Sequence, residues 1–332
     1  MKYLPILLTA FFLFNGSLTL ADTNDQPVFD KMLSQFIYPF EVSNFELSSQ
    51  NQELKMGYMD IGNSGSNKVI VLLHGKNFSG YYWERIAKDL AAQEFRVIIP
   101  DQIGFGKSSK PEYYQYSFSQ LALNTQSLLK SLKIRNYTLV GHSMGGMLAT
   151  QMAYLFPESL NKLVLINPIG LESYLDYAQF KDTDFFYKRE LAKNIDKARA
   201  YQKKNYYDGK WNDGYEKLLT PLKGWLNGPD WQRVAWNNAL TYHPIFSEDM
   251  TAKFSKLNTK TYFIIGTRDR TGPGRGWKKE GIDYKFGQYQ HLGKAAQQLV
   301  KDSELIELEG LGHMPQFEDY DRFSNAFNPI LK

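Results

Sequence analysis

Short, continuous apolar runs that alternate with helical patterns constrain this chain more than any other feature of it. Val69–Leu73, Arg96–Pro100, Tyr137–Val140 and Leu163–Ile166 have too little polar alternation for strands with one wet face. Runs apolar on both sides suit a parallel sheet covered by helices on its two faces. Helical periodicity follows the first three runs, over Gly80–Ala92, Phe118–Leu132 and Met144–Phe156. The alternation is that of an α/β fold. Ahead of it, Phe45–Ser49 and Glu53–Ile61 alternate like antiparallel strands, with a turn at Gly62-Asn63-Ser64-Gly65. Behind it come Thr261–Ile265 as strand, Leu292–Val300 as helix, Glu304–Leu308 as strand and Phe317–Leu331 as a last helix.

Between these two stretches the pattern changes. From Leu171 to Tyr242 strand-like runs vanish and aromatics crowd in, among them Tyr174, Phe186, Tyr206, Trp225, Trp231 and Trp236. Residues 171–242 are therefore expected to form an inserted helical lid, with 45–170 and 243–332 as the core. An aromatic lid suggests an apolar or aromatic substrate group shielded from water. Most of these rings are nevertheless needed to hold a small helical subdomain together.

The strongest local signal is Gly141-His142-Ser143-Met144-Gly145, set between an apolar run and a helical one. A serine at the tip of a tight strand-to-helix turn sits in a strained backbone, and glycines two residues to either side permit the close approach. The helix start behind it adds partial positive charge where an oxyanion would form. Ser143 is thus the expected nucleophile. Its hydroxyl needs a base, and the chain has five histidines, at 74, 142, 243, 291 and 313. His142 neighbours the serine, with its side chain expected to point away. The chain order nucleophile, acid, base leaves His291 and His313 as candidates. His313 lies in the loop beyond a terminal strand, where the crevice of such a sheet opens, and is preferred.

The acid must orient that imidazole. Asp269, just past the strand Thr261–Ile265, faces the same crevice and is the expected partner. Asp249 falls at a helix start, where capping accounts for it. Asp283 lies in a long loop, and Asn167-Pro168 supplies no carboxylate after the strand ending at Ile166. His74-Gly75-Lys76-Asn77 follows the strand Val69–Leu73, so the backbone N–H groups of Lys76 and Met144 are the expected oxyanion donors. Only backbone is required there. The Lys76 side chain is expected to point to solvent, with contact to an acidic substrate group as the alternative.

Taken together, strand-His-Gly, Asp101-Gln102-Ile103-Gly104-Phe105-Gly106-Lys107-Ser108, the Ser143 turn, Asp269 and His313 resemble the α/β-hydrolase fold family from about Phe45 onward. The resemblance implies a mostly parallel sheet with helices on both faces and an inserted lid. It also implies hydrolysis of an ester, amide, thioester or activated C–C bond. A serine esterase is the first expectation; a C–C bond hydrolase of aromatic degradation and a non-catalytic ligand-binding member are the alternatives. Haloalkane dehalogenases and epoxide hydrolases of this fold use an aspartate nucleophile, against which Ser143 stands. Prolyl aminopeptidases commonly have two glycines after His-Gly, where Lys76-Asn77 stands here. Asp101 resembles the family's structural turn residue. Gly106-Lys107-Ser108 mimics the end of a phosphate-binding loop, but Asp101 occupies the position of the required first glycine. Thr271-Gly272-Pro273-Gly274-Arg275-Gly276 reads as a mobile loop near the pocket mouth, with anion binding as its alternative.

Residues 1–21 read as a signal peptide. Lys2 is followed by an apolar stretch from Tyr3 to Phe14, and Thr19-Leu20-Ala21 offers small residues before a polar segment. Asn15-Gly16 interrupts the run before the ~20 residues a membrane span needs, so no stable span is expected after leader removal. The expectation is an exported protein, periplasmic or secreted. Residues 22–44 read as a polar linker. The chain has no cysteine, which excludes disulfides and thiolate-bound metal. Its formal charge of +4 is not gathered in runs and makes no case for nucleic acid. The expected partner is a small acyl substrate, and no metal or organic cofactor is implied.

Overall fold

The computed structural model describes Met1 and residues 26–332. Residues 2–25 lie outside the described residues, and with them the body of the expected signal peptide. Among the described residues eight strands form one sheet: β1 (Ser43–Ser49), β2 (Gln52–Gly62), β3 (Val69–Leu73), β4 (Arg96–Pro100), β5 (Tyr137–His142), β6 (Leu160–Ile166), β7 (Thr261–Gly266) and β8 (Ser303–Leu308). Their spatial order is β1-β2-β4-β3-β5-β6-β7-β8. β2 runs antiparallel to both β1 and β4, and every pairing from β4 through β8 is parallel. Every residue of β3 and β5 is buried, whereas β1 and β8 at the edges carry exposed residues. That contrast is what continuous against alternating runs imply.

Helices α1 (Glu84–Ala92), α2 (Phe118–Ser131) and α3 (Met144–Leu155) cross between the first parallel strands. The expected helix Gly80–Ala92 begins instead as a 3-10 turn over Gly80–Trp83. There the Gly80 N–H donates to the Asp101 carboxylate at 2.6 Å, so the start is held by a loop from β4. Two apolar clusters pack on the sheet, one centred on Leu73, Leu139 and Leu165, the other on Leu72, Val140 and Ile166. Alternate residues of the same buried strands thus face opposite layers.

Between β6 and β7 the chain is helical: α4 (Tyr174–Tyr177), α5 (Thr183–Leu191), α6 (Ile195–Asn205), α7 (Asp213–Lys217), α8 (Thr220–Asn227), α9 (Trp231–Leu240), α10 (Tyr242–Ser247) and α11 (Thr251–Phe254). Side-chain caps start several of them: Asp182 accepts from the Phe185 N–H, Asn194 from Lys197 and Asn212 from Tyr215. The insertion runs past residue 242. α10 packs on α4, α5 and α9, and Pro244 is accommodated in its first turn, where no intrahelical N–H is needed. After β7 come α12 (Tyr289–Leu299), α13 (Pro315–Glu318) and α14 (Tyr320–Leu331). The expected single last helix is broken at Asp319, whose extended backbone lets its side chain cap α14 through the Arg322 N–H. Among the described residues no helix is long and apolar enough to cross a membrane.

The described part of the segment read as a polar linker is packed. Phe29 lies against α8, where a Cβ on Gly224 would stand 1.9 Å from its ring, and its N–H donates to the Gly224 carbonyl at 2.9 Å. The Trp225 Nε1–H donates to the Asp30 carbonyl, and the Lys31 N–H to Asp230. Leu33 is fully buried, and the Tyr38 hydroxyl donates to Asp101 at 2.7 Å. The segment therefore straps the helical insertion between β6 and β7, the cap, to the core. Phe29→Ala is expected to cost about 3 kcal/mol and to lower the thermal midpoint. An unchanged midpoint would show that the strap contributes nothing to stability.

Candidate active site

The site gathers at the carboxyl ends of β3, β5, β7 and β8. Ser143 follows β5 directly, with φ 57° and ψ −121°, and is the N-cap of α3. A non-glycine residue holds such a φ only where its surroundings enforce it. Here the Ser143 N–H donates to the Ile166 carbonyl at 3.2 Å, and its own carbonyl accepts from Gly146 and Ile169. Gly145 makes the approach possible, since a Cβ there would stand 2.3 Å from the Leu73 carbonyl oxygen.

His313 meets this serine from the loop after β8. Its Nε2 lies 2.9 Å from Ser143 Oγ, and its Nδ1 lies 2.6 Å from Asp269 Oδ2. The line fixes the tautomer: Nδ1–H donates to the carboxylate and leaves Nε2 to accept from the serine hydroxyl. All three side chains are buried. Burial alone would raise the Asp269 carboxyl, but electrostatic attraction to the His313 ring, its hydrogen bond and the Thr271 N–H at 2.7 Å together hold it below the usual carboxylate range. The sequence-predicted trio is thus brought into one hydrogen-bonded line.

The other candidates stand elsewhere. Asp249 accepts from the Thr251 N–H and hydroxyl at the start of α11, a local turn role. His243, His291 and Asp283 are all exposed. His74 is buried, accepting the Gln102 N–H on Nε2. Asp101 organises the loop after β4, accepting from Tyr38, Gly80 and Lys107. The backbone of Lys76 lies past the end of β3, and Met144 is the first residue of α3, where N–H groups lack intrahelical acceptors.

Four further residues complete the surroundings, and for His142 the expected orientation away from Ser143 holds. Asn167 donates to Asp269 Oδ2 at 2.9 Å while its own oxygen accepts the Gly266 N–H, tying the ends of β6 and β7 together. His142 points away from Ser143, with Nε2 2.8 Å from the His313 carbonyl; burial pushes its pKa down to about 3, so it is neutral. Tyr206, from the end of α6, lays its ring 4.7 Å from the His313 imidazole. Glu318 accepts the Gly312 N–H and pairs with Arg268, which holds the loop that carries His313. Asn167, Tyr206 and Glu318 meet the site from distant parts of the chain, so spacing alone does not reveal their roles.

A cavity of about 590 Å³ opens over Ser143 between core and cap. Tyr206 and Trp225 line it, while Phe186, Tyr207 and Trp236 pack within the cap. Thr271–Trp277 form one wall rather than a free loop, tied to the cap through the Gln179 N–H and the Trp277 carbonyl. Lys76 departs from expectation. It does not reach solvent: it is buried, its Nζ donates to the Asn238 carbonyl at 2.8 Å and lies 4.0 Å from the centre of the Tyr242 ring. The cap closes over it, which no local pattern at residue 76 could indicate.

A serine on a strand-to-helix turn, with its histidine and aspartate beyond later strands of a mainly parallel sheet, defines the α/β hydrolase class. The chain belongs to the α/β hydrolase fold family, whose model matches residues 68–320. It is similar to the crystal structure of a probable hydrolytic enzyme from Pseudomonas aeruginosa PAO1, with 39% identity and a TM-score of 0.90 over 92% of this chain and 99% of that one. An uncharacterised protein of Mycobacterium tuberculosis is 40% identical over 108 residues, 32% of this chain and 31% of its own length. A fluoroacetate dehalogenase from Burkholderia is 33% identical over 129 residues, 38% of this chain and 40% of its own. The chain thus spans 31% and 40% of the length of these two curated relatives. Replacing Gly145 by alanine drives a methyl into the Leu73 carbonyl and is expected to destabilise the fold by about 1–3 kcal/mol. A variant that melts with wild type would contradict the packing described for the turn.

Proposed function

We propose that this chain is a serine hydrolase that cleaves a carboxylic ester through an acyl-enzyme. The observation that carries the reading is the unbroken line from Asp269 through His313 to Ser143, with separations of 2.6 and 2.9 Å. In this reading Ser143 Oγ attacks the ester carbonyl carbon as its proton passes to His313 Nε2. Asp269 stabilises the imidazolium that forms. The backbone N–H groups of Lys76 and Met144 receive the developing oxyanion, each worth about 3 kcal/mol to the transition state. Collapse breaks the C–O bond, and His313 returns the proton to the leaving alcohol. A water molecule then repeats the sequence on the acyl-enzyme, releasing the acid and restoring the serine.

The similarity to a fluoroacetate dehalogenase does not move the reading toward carbon–halogen bonds, because residue 143 is serine where dehalogenases of this fold are expected to use aspartate. An assembled line also weighs against a binding protein, which needs no base within reach of a hydroxyl. The aromatic wall supports an apolar portion in the substrate, and the leader expected over residues 1–21 supports a place outside the cytoplasm. Short p-nitrophenyl esters are the test. Wild type is expected to turn them over, Ser143→Ala to fall to the uncatalysed rate, and Asp269→Asn to lose about 10⁴-fold in kcat. Turnover that survives in Ser143→Ala would contradict the proposal.

A further inference from the structure

The charges around the cavity over Ser143 are one-sided. Lys76, Arg189, Lys193, Lys197 and Arg275 line it, and among the described residues no aspartate or glutamate does. The whole chain carries 39 basic and 35 acidic residues, so this separation is not a reflection of bulk composition. Glu190 stands behind the wall and is bound to Lys193 at 2.6 Å. Arg189, Lys197 and Arg275 have no carboxylate partner among the described residues: Arg189 lies over the Trp277 ring, and Arg275 donates to the Arg270 and Phe286 carbonyls. Arg275 also reaches a neighbouring hollow of about 500 Å³, lined by Lys204, Arg268, Arg270, Lys278 and Lys285 against Asp208 alone.

Lys76 supplies an independent observation. The residue is only 8% exposed, yet among the described residues its ammonium has no salt bridge, only the Asn238 carbonyl and the Tyr242 ring face. A buried cation without an ionic partner is costly, and an incoming anion removes much of that cost. Burial pushes Lys76 down to about 7, with the nearby Glu190 opposing and Lys193 adding to the shift. A bound anion would draw it back up.

We propose that the substrate is an ester carrying a second, anionic group, a carboxylate or a phosphate, which Lys76 and Arg275 receive while the apolar wall takes the rest. The one-sided wall also focuses field lines and concentrates anions at the mouth. The proposal rests on the esterase reading, so its test separates the two. Two ester pairs are compared: mono-p-nitrophenyl glutarate with p-nitrophenyl valerate, and 4-carboxyphenyl with 4-carbamoylphenyl butyrate. In at least one pair kcat/KM is expected to favour the anion by about tenfold or more at low salt, and the ratio to shrink as salt rises. Arg275→Gln and Lys76→Met should each pull that ratio toward one. Competition by heptanoate against hexylphosphonate then separates a carboxylate from a phosphate, the tighter competitor naming the group. Equal or reversed preference in both pairs overturns the proposal. If no ester is cleaved, calorimetry of the two p-nitrophenyl esters on Ser143→Ala still reads it: preferential binding of the glutarate sustains the anion site while the esterase reading fails, and equal binding overturns the anion site as well.

Discussion

A serine held at φ 57° and ψ −121° between a buried strand and a helix costs on the order of 1–3 kcal/mol relative to an ordinary conformation. It persists because both sides of the turn are fixed. β5 is buried along its whole length, α3 packs back on β5 and β6, and Gly145 sits against the Leu73 carbonyl. The turn carries Oγ to the edge of the sheet and leaves the Met144 N–H at the start of a helix. The parallel register does the rest. Adjacent strands that end at one edge bring Lys76 from beyond β3, Asp269 from beyond β7 and His313 from beyond β8 to the same place.

Much of this was legible in the chain because it is local. Unbroken apolar runs reveal buried strands, and the Gly-His-Ser-Met-Gly stretch between a run and a helix reveals the turn. Asp269 and His313 follow from their places just beyond strands. What escaped was decided by partners far away in sequence. Lys76 reads as a surface lysine until α9 and α10 close over it. Residues 22–44 read as a polar linker, yet within their described part Phe29 finds α8 some two hundred residues on. Asn167 looked like a missing carboxylate and is instead the residue that holds Asp269. Helix ends shifted for similar reasons, as where Asp319 caps α14 and divides what periodicity alone runs together.

The cap joins these levels. Its own aromatic packing makes it a separate layer, seen in the close stack of Tyr207 on Tyr215. The strap ties α8 to the core, Tyr206 leans on the His313 ring, and Arg268 with Glu318 grips the loop that bears it. Cap position and imidazole position are therefore mechanically linked. The same layer supplies most of the cations over the serine, so whatever sets its geometry also sets the field that a substrate meets.

Active-site labelling tests the central claim most directly. Wild-type protein treated with a fluorophosphonate is expected to gain one adduct, mapped by peptide mass spectrometry to Ser143 and absent from the Ser143→Ala and His313→Ala variants. An unmodified Ser143, or an adduct that maps to another residue, would contradict the account.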